Sequence, residues 1–104
     1  MLKVESPAQL SGQVLTASKA LLFLTKPGCP ESPVVKDRLE RIAGRNSSLV
    51  IAMADMSRVP GLATVLKVSQ SPTVVLFRRG QRISELTGRM TGMQIQALVD
   101  SVHW

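Results

Sequence analysis

Three apolar stretches recur along the chain, Ala20 to Leu24, Leu49 to Ala54 and Thr73 to Phe77. Each is nearly continuous rather than alternating, which is the pattern of strands buried on both faces, and such strands need helices above and below their sheet. A shorter stretch around Ile83 to Leu86 predicts a further strand, and Leu2 to Val4 a brief one at the start. Segments of helical period lie between them. Ser6 is placed to cap a first helix with Pro7 at its first position, Gln9 as capping-box partner, and Leu10 and Val14 on its apolar face. After Pro33, Val35, Leu39, Ile42 and Ala43 mark one face, Lys36, Arg38, Glu40 and Arg41 the solvent side, and Gly44 the expected end. A short helix is expected after Pro60 with Leu62, Val65 and Leu66 inward. The last begins at Thr91, paired with Gln94 in a capping box, with Ile95, Leu98, Val99 and Val102 marking one face.

The expected order is strand, helix, strand, helix, strand, helix, strand, strand, helix. Phe77 to Arg82 reads as a hairpin turn, which makes the last two strands antiparallel and the fold α/β with a mixed sheet. At 104 residues, 44% hydrophobic and 19% charged, the chain is read as a single domain over residues 1–104 with enough apolar surface for a core. No apolar run nears the roughly 18 residues that span a bilayer, and the first residues lack a secretory pattern, so no membrane role and a cytoplasmic location are expected.

The net charge of +6 raises nucleic acid as a partner. The scatter of the basic residues argues against it, since only Arg78, Arg79 and Arg82 cluster, around a hairpin glycine where they guard an edge strand. Asp55 reads as a solvated strand end. His103 and Trp104, at the terminus, read as frayed or surface-packed rather than catalytic.

The candidate chemistry lies in two loops. A single cysteine, Cys29, excludes an internal disulfide and a zinc site of paired cysteines. It falls in Lys26-Pro27-Gly28-Cys29-Pro30-Glu31-Ser32-Pro33, at or just before a helix start, where free N–H groups and the helix dipole favour a thiolate. The other loop is Gln70-Ser71-Pro72-Thr73, whose proline enters a buried strand and is a candidate cis peptide.

With these elements in this order, the chain resembles the thioredoxin family. Cys29-Pro30-Glu31-Ser32 matches the redox loop, Asp55 the acidic segment, Pro60-Gly61 the start of the short helix, and Ser71-Pro72-Thr73 the cis-proline motif. Arg79-Gly80 and Gly88 fall on the hairpin glycine and the glycine before the last helix. The resemblance covers roughly four-fifths of the chain, from residue 20 onward. It implies a thioredoxin fold, with a central mixed β-sheet flanked by helices on both faces.

The departures shape the expected function. Ser32 stands where the family has its resolving cysteine, Phe23 where it has a buried acid, Met53 where a lysine commonly partners that acid, and Thr25 and Gly28 where tryptophans flank the loop. What the resemblance leaves is a monothiol protein. Cys29 attacks protein or glutathione disulfides, and glutathione, as co-substrate, or a substrate thiol resolves the intermediate. No metal or bound cofactor is implied. Cys29 and Ser32 are the catalytic candidates, the Ser32 hydroxyl lowering the thiol pKa by hydrogen bonding and Glu31 opposing it, with Lys26 and Lys36 as counter-charges. Gly28, Pro30, Glu31, Ser71, Pro72 and Gly88 are the substrate-binding candidates, with an extended peptide segment running along the Pro72 loop. The alternative is a redox-inactive module that keeps this groove for binding.

Overall fold

A computed structural model describes residues 1–59 and 61–102. Pro60, His103 and Trp104 lie outside the described residues. The strands are β1 (Leu2–Lys3), β2 (Lys19–Thr25), β3 (Val50–Asp55), β4 (Thr73–Arg78) and β5 (Gln81–Thr87), and the helices α1 (Pro7–Gln9), α2 (Ser32–Arg45), α3 (Leu62–Leu66) and α4 (Gly92–Asp100). The strand order is β1-β3-β2-β4-β5. β1 and β2 run parallel to β3, whereas β4 is antiparallel to both β2 and β5.

The unbroken apolar run of β2 follows from its position between two neighbours and two helical layers. Leu22 and Leu24 face one way, with Ala52, Ala54, Val75 and Phe77 on neighbouring strands, and meet Leu10, Val14, Leu62 and Leu66. Leu21 and Phe23 face the other way, with Ile51, Val74 and Leu76, and meet Val35, Leu39 and Ile42 of α2 and Ile95, Leu98 and Val99 of α4. Each such aliphatic or aromatic side chain contributes about 1.5–3 kcal/mol on full burial.

The caps hold with one variation. Ser6 Oγ accepts from Gln9 N–H at 3.2 Å, but the Gln9 side-chain oxygen reaches one residue further back, to Glu5 N–H. The chain then continues through a π-helical turn at Leu10–Val14, with Leu15 N–H donating to Leu10 O at 3.0 Å. Thr91 and Gln94 form the full capping box of α4.

Three expectations are corrected. Gly44 lies inside α2, which runs on to Arg45 and is capped at Asn46, where the Asn46 amide nitrogen donates to Ile42 O at 2.8 Å. Val65 is 76% exposed, because α3 is a five-residue helix whose inward face is filled by Leu62 and Leu66, one turn apart. β5 is longer than its apolar stretch, since backbone pairing with β4 rather than burial defines it; most of its residues are exposed.

The hairpin turn consists of Arg79 and Gly80, both at positive φ (50° and 81°), which suits a two-residue connection between twisted strands. Gly80 also has a packing reason. A Cβ there would sit 2.9 Å from Leu15 O, so only glycine lets the hairpin close against the end of the first helical segment.

Topology places the two notable loops together. β2 ends at Thr25 and its antiparallel neighbour β4 begins at Thr73, with Leu24 and Thr73 in register. The loop leaving β2 and the loop entering β4 therefore emerge at the same end of the sheet.

Candidate functional site

Past Thr25 the chain turns sharply, with Cys29 N–H donating to Lys26 O at 3.3 Å and Gly28 at φ 77°. Ser32 N–H then donates to Cys29 O at 3.2 Å, and α2 opens at Ser32 with Pro33 in its first turn. Cys29 thus precedes the helix by a short turn, and its side chain is only partly covered.

The other loop approaches from β4. The Ser71–Pro72 peptide is cis, and Ser71 Oγ accepts the Lys26 N–H at 3.1 Å, a bond between the two loops themselves. Lys26 Nζ adds a second tie, to Ser69 O at 3.1 Å. Thr73, buried and polar, is satisfied by donating to Gln70 O at 2.8 Å, and Gly88 N–H donates to Pro72 O at 2.9 Å. Cys29, Ser71, Pro72 and Gly88 are therefore carried on one connected set of loops, with Ser32 at the first position of α2. Gly28 and Pro30 are exposed beside the thiol.

The thiol is held below its ordinary pKa. The Ser32 hydroxyl is the largest cause and the Ser71 hydroxyl the next; burial opposes them, and the backbone N–H groups of Glu31 and Ser32 add to the lowering. All four donors favour the charged sulfur. Glu31 acts on the sulfur through its N–H, in the direction opposite to that expected for its carboxylate.

That carboxylate is engaged elsewhere. Arg89 donates to Glu31 Oε1 at 3.2 Å, so Arg89, and not the expected Lys26 or Lys36, is the counter-charge of Glu31. Arg89 is brought there by its neighbour, as the Arg38 guanidinium of α2 donates to the carbonyl of buried Met90. The pair is exposed on the Arg89 side, at 81%, and its worth is correspondingly small. Replacing Arg89 with alanine is expected to leave the Glu31 carboxylate without its cation and to raise the midpoint of Cys29 alkylation only slightly, since the pair is exposed. A pH profile of iodoacetamide labelling checks this.

Thr25 also belongs to the site; the resemblance marks it only as a departure from a loop-flanking tryptophan, not as a partner of Ser32. Its hydroxyl is hydrogen-bonded to that of Ser32, across the mouth of the loop. Asp55 is in register with Thr25, but its work is local: Oδ1 accepts from Ser57 N–H at 2.9 Å and Ser57 Oγ at 2.6 Å, which with Arg58 nearby holds the carboxyl below its ordinary range. It closes the turn after β3, in keeping with a solvated strand end.

Among the described residues, no group of three His, Cys, Asp or Glu side chains is placed to hold a metal ion, and no helix is long and apolar enough to cross a membrane.

Comparisons with known proteins agree with this fold. The sequence profile of the family described as Thioredoxin matches residues 3–101. Comparison with curated proteins gives no match. Among solved structures, a point mutant of a thioredoxin from Halobacterium salinarum superposes with a TM-score of 0.89 at 23% identity, covering 96% of this chain and 88% of its own. Plasmodium falciparum thioredoxin gives 0.89 at 14% identity, covering 99% and 100%. A chain from work on the thiol resolving mechanism in yeast mitochondrial 1-Cys peroxiredoxin via glutathione/thioredoxin systems gives 0.89 at 17%, covering 98% and 95%. At these identities the likeness concerns the fold.

Proposed function

The chain belongs to the thioredoxin family, and from that premise we propose that it is a monothiol member, exchanging thiols and disulfides through Cys29 in a reducing, cytoplasmic setting. The observation that carries the reading is the convergence of two hydroxyls and two backbone N–H groups on a partly exposed sulfur, the only cysteine of the chain.

The Cys29 thiolate attacks one sulfur of a protein or glutathione disulfide. A Cys29–substrate disulfide forms, the substrate S–S bond breaks, and the departing thiolate takes a proton from water. Ser32 cannot complete the cycle, because its hydroxyl neither ionises near neutral pH nor forms a disulfide. When the captured group is glutathione, a second glutathione thiolate attacks its sulfur, releasing oxidised glutathione and the Cys29 thiolate. When it is a protein, a second thiol of that protein closes a new disulfide and leaves Cys29 as it began. The yeast work, in which a one-cysteine peroxiredoxin is resolved through glutathione and thioredoxin systems, supports glutathione as the outside thiol.

Gly28, Pro30, Glu31, Ser71 and Gly88 form the substrate surface in this reading, while Pro72 itself is buried and contributes by holding Ser71 there. With Pro72 O engaged by Gly88 N–H, Ser71 presents its backbone beside the sulfur to an extended substrate segment.

The test is the rate of Cys29 alkylation against pH in native protein, with the unfolded chain as reference. A midpoint well below about 8.5 is expected. A midpoint at or above that value, or no reaction of the native thiol, overturns the reading and leaves a thioredoxin fold kept for binding.

A further inference from the structure

The hydroxyls around Cys29 can be counted proton by proton, and the count assigns a role to a residue outside the Cys29 loop. Ser71 Oγ already accepts the Lys26 N–H at 3.1 Å, so its own proton is free to go to the sulfur. Ser32 has a single proton and two neighbours that can take it, Cys29 Sγ and Thr25 Oγ1. It can serve the sulfur only if its bond with Thr25 runs the other way, with Thr25 as donor.

The surroundings of Thr25 favour that direction. The alternative acceptor for its proton is Lys26 O at 3.4 Å, near the far limit for an O–H donor, while Ser32 Oγ is in close contact. Thr25 is also well fixed. It is the last residue of β2, in register with Asp55, and its carbonyl accepts Met56 N–H at 2.8 Å.

We propose that Thr25 is a positioning residue of the thiol site: its hydroxyl donates to Ser32 Oγ and so turns the Ser32 proton onto Cys29 Sγ. A chain of hydrogen bonds runs from the end of β2 to the sulfur, each donor made stronger by the one behind it. The fixed end lies on the central sheet, so the orientation does not depend on the loop alone. This rests on Cys29 as the working nucleophile, and it gives the serine of the loop a function that a resolving cysteine would not have.

The experiment compares iodoacetamide pH profiles of the full chain as wild type, Thr25→Val, Thr25→Ser and Ser32→Ala, and of Thr25→Val combined with Ser32→Ala. Thr25→Val keeps the shape and removes the donor. It is expected to raise the Cys29 midpoint, read as alkylation slower by about twofold one pH unit below the wild-type midpoint. Thr25→Ser is expected to restore the wild-type profile. In the Ser32→Ala background, Thr25→Val is expected to change nothing, which a merely structural role would not produce. Thr25→Ala serves in place of Thr25→Val if the latter does not fold. The proposal is overturned by a midpoint that stays or falls in Thr25→Val, by failure of Thr25→Ser to restore it, or by an equal shift without the Ser32 hydroxyl. The wild-type profile alone tests Cys29 as nucleophile, and the differences among variants test Thr25, so the two failures are distinct.

Discussion

Ser32→Cys is expected to give the protein an intramolecular route out of its mixed disulfide. The Ser32 hydroxyl lies near enough to the Cys29 sulfur to hold its pKa down, so a sulfur in its place is expected to lie within range of attack. Its thiolate displaces the substrate from Cys29, a disulfide closes between positions 29 and 32, and the substrate leaves as a thiolate. A step that needed an outside thiol becomes unimolecular, and even a small part of the effective concentration such proximity can supply accelerates release by about a hundredfold or more over millimolar glutathione. The measurement is release of a labelled substrate from the preformed Cys29 mixed disulfide across glutathione concentrations. Wild-type release should rise in proportion to glutathione, and release from the variant should be fast and independent of it. A variant that still depends on glutathione would show that positions 29 and 32 do not meet in the working protein.

The second large effect concerns stability. Phe23→Asp reintroduces the acid that the family resemblance places at this position, and it is expected to unfold most of the protein. Phe23 is 1% exposed, flanked in register by Met53 and Val74, and packed among Val35, Leu39 and Ile95. Neither register neighbour offers a charge or a hydrogen bond, so a carboxylate would be buried unpaired in place of an aromatic ring. That change costs several kcal/mol, against a total stability of about 5–15 kcal/mol for a domain. Phe23→Leu, which keeps an apolar side chain, is expected to remain folded with a far smaller loss. Thermal unfolding followed by circular dichroism compares them, and a Phe23→Asp protein melting close to wild type would refute the account. The local packing has replaced the acid rather than merely lost it.

The fold was legible where burial leaves a local signature. The continuous apolar runs at β2, β3 and β4 reflect two covered faces, and the cap residues Ser6 and Thr91 mark helix starts because their hydroxyls answer N–H groups three residues on. β5 was only partly legible because pairing, not burial, holds it. Gly44 misled because a glycine ends a helix where it takes a left-handed turn, and Gly44 is still helical, with Arg45 following it in α2 before the cap at Asn46. In the site, the loops of Cys29 and Ser71 stood out through their prolines and glycines. The contact of Arg89 with Glu31 spans 58 residues and that of Thr25 with Ser32 crosses from strand to helix. No periodicity encodes either, so both required the assembled sheet.

The position of β2 has a consequence for how reactivity at Cys29 is to be understood. β2 has a paired strand on each side and a helical layer on each face, so its amides from Leu21 to Leu24 belong to the most protected class and exchange with solvent deuterium only when the whole domain opens. The loop holding the sulfur hangs directly from that strand. Labelling of Cys29 that outpaces deuterium uptake at Leu22 or Phe23 is then chemistry of a protein whose sheet stays closed, with no contribution from the globally unfolded form.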